Sequence, residues 1–122
     1  MKKKKHSLSE NYLERIPVRP SGLKWSADEK GMVTLEVENT GFFNRMAQLF
    51  LHKPRISYIH LDEIGSFVWP LIDGEMNIIE LAALVDIQFE EKARPLYERL
   101  AKYFQILESY HFVEWVSQND KK

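Results

Sequence analysis

Apolar residues return at every second position across Met32–Glu38, where Val33, Leu35 and Val37 alternate with Thr34, Glu36 and Glu38. Successive side chains of a strand point to opposite faces, so this stretch predicts one buried and one solvated face. Leu23–Ala27 predicts a shorter strand before it, joined through an Asp28-Glu29-Lys30-Gly31 turn. Ile56–Leu61, rich in β-branched and aromatic residues, predicts a third strand. That strand runs directly into a helix. Asp62 supplies the cap, apolar residues follow at Ile64, Phe67, Val68 and Leu71, and Gly74 ends it. Leu61 and those four are expected in the core, with Trp69 and Pro70 shaping the helix end.

Downstream the apolar period lengthens to that of a helix. Asn77 and Glu80 form an N-x-x-E pattern ahead of Leu81, Leu84, Val85 and Ile87, which predicts a capping box and a helix over 78–88. A longer helix is predicted from Glu91 to Tyr110, with Pro95 in its first turn and Glu90/Arg94 and Glu98/Lys102 as i,i+4 pairs. Its apolar residues sweep an arc of roughly 220°, wider than a helix buried on one side needs. One flank faces the bundle and the other needs a second neighbour. That neighbour is either the sheet itself or a peptide held in a groove beside the Ile56–Leu61 strand. Phe42, Phe43, Met46, Leu49 and Phe50 predict a short amphipathic helix, acting as a lid on the sheet or as a docking element. Phe112–Val116 either closes the sheet or packs as a terminal extension. The order predicts an α+β fold: a small antiparallel three-stranded sheet packed on a three-helix bundle, winged-helix-like, with an extra short helix between strands 2 and 3.

A chain of 122 residues with 44% hydrophobic content supports one domain and not two. Residues 1–21 carry Lys2–Lys5, Pro17 and Pro20 without a sustained apolar period, and read as a flexible basic arm from which Tyr12, Leu13 and Ile16 can touch the domain. The domain is expected over 22–116, followed by a flexible tail over 117–122. The initial lysines are not followed by the apolar segment of a secretion signal, and no apolar run approaches the ~18 residues of a membrane span. No membrane partner is expected. The chain has no cysteine, which removes disulfides and thiolate chemistry and fits a cytoplasmic location.

Enzymatic signatures are missing from the sequence. His6, His52, His60 and His111 are not spaced as metal ligands, and no phosphate-cradling loop, nucleophile elbow or dinucleotide fingerprint occurs. No catalytic residue, metal or cofactor is therefore expected. Winged-helix proportions raise DNA binding as the alternative, but charge opposes it. The segment from Asp62 to Glu91 holds eight acidic residues (Asp62, Glu63, Asp73, Glu75, Glu80, Asp86, Glu90, Glu91) and no lysine or arginine. Phosphate contacts require the opposite sign. A third reading is a structural adaptor docking through the Phe42–Phe50 helix.

The run IHLDEIGSFVWPLIDGEMNIIELAALV and the closing SYHFVEW resemble the PqqD family of peptide-modification chaperones, also called RiPP recognition elements. Leu61-Asp62 corresponds to the family's strand end, Asp73-Gly74 to the end of its first helix, and Glu80-Leu81-Ala82 to the start of its second. The likeness covers roughly Leu23 to Trp115. It implies a non-catalytic protein that binds the leader segment of a ribosomally made precursor peptide as an added strand. The bound leader would be presented to a separate modifying enzyme, often a radical SAM protein, with no nucleic acid involved. Carried onto this chain, the strand is Ser57, Tyr58, Ile59 and His60, and the helix wall is Arg94, Tyr97, Ala101 and Phe104. The Gly41–Pro54 insert is longer than the family's usual turn, and a helix there folding over the strand edge would cap the groove.

Overall fold

The computed structural model describes residues 10–39 and 55–117; the expected Phe42–Phe50 helix, the Lys2–Lys5 run and residues 118–122 lie outside the described residues. A single helical turn, α1 (Glu10–Leu13), precedes a short strand, β1 (Pro17–Val18). Strands β2 (Lys24–Ala27), β3 (Val33–Asn39) and β4 (Arg55–His60) form one antiparallel sheet in the order β2-β3-β4. Three helices follow, α2 (Glu63–Val68), α3 (Ile78–Phe89) and α4 (Leu96–Ser109), then a last short strand, β5 (Glu114–Trp115). The described residues are thus mixed α+β, with a small antiparallel sheet and three helices, as the periodicities predict.

The β2–β3 turn is held by Asp28, whose Oδ1 accepts from the backbone N of Lys30 and of Met32 at 2.9 Å each. Gly31 closes it at φ 82°, a left-handed conformation that costs glycine little. The alternation in β3 appears as expected. Val33 and Leu35 are buried and Val37 is half-buried, while Glu38 is exposed. Under this face lies a core that includes Val68, Trp69, Leu81, Val85, Leu100 and Phe104.

Asp62 caps α2 as expected, its Oδ1 accepting from Gly65 N at 2.7 Å. Buried Ser66 joins α2 to the sheet: its Oγ accepts from Val33 N at 2.8 Å and donates to the Leu61 carbonyl at 3.2 Å. The distribution of burial corrects the expectation for this helix. Leu61, Ile64, Phe67 and Leu71 are only partly buried, whereas Trp69 is fully buried with its ring edge-on to Trp25 at 6.3 Å. The chain tightens into a 3-10 turn at Trp69–Leu71, which rotates the indole inward.

The capping box of α3 is complete: Glu80 N donates to Asn77 Oδ1 at 2.8 Å and Asn77 N to Glu80 Oε1 at 2.9 Å. The last helix starts later than Glu91. A 3-10 turn covers Glu90–Ala93, Arg94 is extended, Pro95 occupies the N-cap, and α4 begins at Leu96. The physical reason is the proline, which disfavours helical geometry in the residue before it. Arg94 consequently pairs with Asp86 of α3, and its guanidinium also donates to the Glu90 carbonyl at 3.2 Å.

The largest departure is at the N-terminus. β1 pairs antiparallel with β5, Pro17 opposite Trp115 and Val18 opposite Glu114, so β5 does not extend the three-stranded sheet. Ile16 and Pro17 are buried, and the Arg15 guanidinium lies 4.5 Å from the Trp115 ring centroid. Arg19 donates to the Trp69 and Pro70 carbonyls at 3.1 and 2.8 Å. Part of the segment expected as a flexible arm thus packs on the rest of the described fold.

Candidate functional site

β4 lies at an edge of the sheet, and its register with β3 determines which of its backbone groups are available. Leu61 N donates to the Val33 carbonyl at 2.9 Å, and the Cα partners continue as Ile59 with Leu35 and Ser57 with Val37. In an antiparallel ladder, residues that exchange both hydrogen bonds alternate with residues whose N–H and C=O point away. Leu61, Ile59 and Ser57 thus turn their backbone groups toward β3. Ile56, Tyr58 and His60 turn theirs outward, and no strand pairs with that edge among the described residues.

The side chains of β4 divide between the two faces. Ile56, Tyr58 and His60 stand on the outer face, where Ile56 is 45% and Tyr58 58% exposed. Their cross-strand partners there are Glu38, Glu36 and Thr34. Thr34 Oγ1 and His60 Nδ1 are 2.9 Å apart and satisfy each other. Ser57 and Ile59 face inward and are half-buried.

Helix α4 is tied to α2, just beyond the end of β4, by Tyr103, whose hydroxyl donates to the Gly65 carbonyl at 2.9 Å. A Cβ on Gly65 would sit 2.9 Å from Tyr103 Cε1, so glycine permits this close approach. Burial, and secondarily the Asp62 charge, push the Tyr103 hydroxyl well above the usual phenol range, keeping it neutral and a donor. Tyr110, which caps the other end of α4, lines a cavity of about 370 Å³ with Gly22, Leu23 and Lys24 at the start of β2 and Glu36, Val37 and Glu38 of β3, away from β4. Ile106 lies one turn after Tyr103 on the same helix face and is 47% exposed.

The residues expected to form the site are not all gathered here. Ser57, Tyr58, Ile59 and His60 lie in the edge strand. Of the expected helix wall, two residues are buried and two are exposed. Ala101 and Phe104 are buried, Phe104 being 6.1 Å from the Trp115 ring on the side of β5. Exposed Tyr97 shares their i, i+4 stripe, and Arg94 is held by Asp86 before the helix begins. Exposed Ile106, and Tyr103 on the same helix face, belong to the apolar arc read from the sequence, but the arc carries no mark of which flank faces the strand.

A second cavity, of about 280 Å³, lies between the Val18–Ser21 segment and Trp25 and borders neither β4 nor α4. Among the described residues, no three His, Asp or Glu side chains are gathered to hold a metal ion. Among them also, no helix is long and apolar enough to cross a membrane. The family model described as coenzyme PQQ synthesis protein D matches residues 32–113. No curated protein and no solved structure matches the chain.

Proposed function

The chain belongs to the PqqD family of peptide-modification chaperones, and from that premise we propose that it captures a leader peptide as an added strand on β4. The family takes part in coenzyme PQQ synthesis, and its members are accessory proteins working beside a precursor peptide and a modifying enzyme, not catalysts. In our reading, the leader of a ribosomally made precursor pairs with the outward backbone groups of Ile56, Tyr58 and His60. Its inward side chains rest on Ile59 and Ile106, and the complex is presented in the cytoplasm to a separate enzyme such as a radical SAM protein. The observation that carries the proposal is the outward-turned backbone of β4 beside exposed Ile56 and Tyr58, an edge of the kind used in β-strand addition. The winged-helix-like packing belongs to the same proposal, with a peptide-binding unit that begins near residue 10. No observation favours DNA as the ligand, given the acidic run from Asp62 to Glu91.

The test is a backbone amide titration with the leader of a precursor encoded beside the gene. Saturable shifts at Ile56, Tyr58, His60 and Ile106 are expected. Saturation with all four unmoved would remove the site.

A further inference from the structure

The outer face of β4 carries a chemical preference that the strand-addition reading does not itself require. On a solvated sheet face, an open edge is commonly guarded by charge. Here the edge strand shows exposed Ile56 and Tyr58, and the carboxylates stand one strand behind them, Glu38 opposite Ile56 and Glu36 opposite Tyr58. Among the described residues, neither carboxylate has an ion-pair partner; the ion pair there is Arg94 with Asp86. The described lysine of this face is Lys24, on the far side of Glu36 in the register. Among the described residues, two carboxylates thus stand behind an aromatic and an aliphatic side chain, with one lysine beyond them.

Resting on β4 as the docking edge, we infer that the outer face selects a peptide strand with lysine or arginine at the positions beside Tyr58 and Ile56. Neighbouring strands lie ~4.8 Å apart, so an added strand would sit about 10 Å from β3. A short outward side chain would reach only Tyr58. A lysine or arginine is long enough to lay its stem across Ile56 or Tyr58 and bring its charge toward Glu38 or Glu36. Over Tyr58 it also gains the attraction of a cation for the ring face. The third outward position offers less, because His60 and Thr34 already satisfy each other. The captured segment is therefore alternating, with apolar residues toward Ile59 and Ile106 and basic residues on the outer side.

Three short synthetic peptides test this, with leucine and valine at one set of alternate positions and lysine, serine or glutamate at the other. Anisotropy titrations at low and high salt, with amide shifts of the full chain followed in parallel, give the readout. The lysine peptide is expected to bind about five- to tenfold tighter than the glutamate peptide at low salt, with the gap narrowing as salt rises. In the Glu36→Gln/Glu38→Gln protein the gap should close to about twofold or less. Equal affinities, with all peptides still shifting the Ile56, Tyr58 and His60 amides, overturn the selectivity and leave strand addition standing. If no peptide shifts those amides, both fall together.

Discussion

The two edges of the three-stranded sheet offer the same backbone chemistry, yet they are finished differently. β2 has four residues, exposes Lys24 and Ser26, and turns Trp25 inward against Trp69 with the Arg19 guanidinium 5.3 Å from its ring. It is short and polar, with a charge at its start, which is how natural sheets discourage unwanted pairing. β4 has six residues and exposes Ile56 and Tyr58. An edge left long and apolar either invites aggregation or is kept for a partner. The contrast, and not the presence of an edge as such, supports the proposal that β4 is the binding edge.

The comparison can be broken most severely from below. Phe104→Ala should cost about 3–5 kcal/mol in urea unfolding and impair both edges at once, because Phe104 is core. Ile106→Ser should leave urea stability nearly unchanged and weaken peptide binding alone; the reverse pattern would return Phe104 to the groove wall. Ser66→Ala leaves the buried Val33 amide without its partner and should cost about 1–3 kcal/mol, felt chiefly at the β3–β4 side.

A pair of prolines separates the edges directly. The Asp28 N to Met32 carbonyl bond fixes the β2 register so that the Ala27 amide, like that of Tyr58 in β4, points outward. Each position can therefore lose its N–H without breaking the sheet. Tyr58→Pro should weaken leader binding about tenfold or more, equivalent to ~1.4 kcal/mol, while Ala27→Pro should not change it. Equal effects in calorimetric titrations would erase the distinction between the edges.

The smallest effect concerns the anchor between α4 and α2. Tyr103→Phe removes the hydroxyl bond to Gly65 and should cost about 1 kcal/mol. Because burial raises the folded-state pKa of this phenol, its contribution is complete below about pH 10 and is lost as pH climbs further. The wild type should lose stability more steeply above that pH than the variant. Tyr12, pushed up to about 12 chiefly by burial, keeps part of the alkaline loss in both proteins.

The elements that could be read in advance are those governed by near neighbours in sequence. The capping box at Asn77 and Glu80 needs residues three apart, and the Asp28 turn needs residues no more than four apart. The outline of β3 needs only alternation. The later start of α4 has an equally local reason, since Pro95 restricts Arg94 before it, a constraint separate from proline's tolerance in a first turn. The N-terminal segment is a different case. β1 is two residues long and owes its order to β5, almost a whole chain away, so no period announces it.

By itself, then, the amino-acid order determined the strands, the caps, the wide apolar arc on the last helix and the peptide-capture family. It also placed an apolar, β-branched strand where the open edge lies. Only the tertiary structure decided which part of that arc is covered, with Ala101 and Phe104 buried and Ile106 and Tyr110 exposed. It likewise decided that the backbone of Tyr58 points outward, and that Glu36 and Glu38 stand behind Tyr58 and Ile56. Helical and strand periods specify the angles between residues of one element but not the zero of those angles. That zero is set by contacts such as Tyr103 with Gly65 and Val33 with Ser66, made between groups more than thirty positions apart.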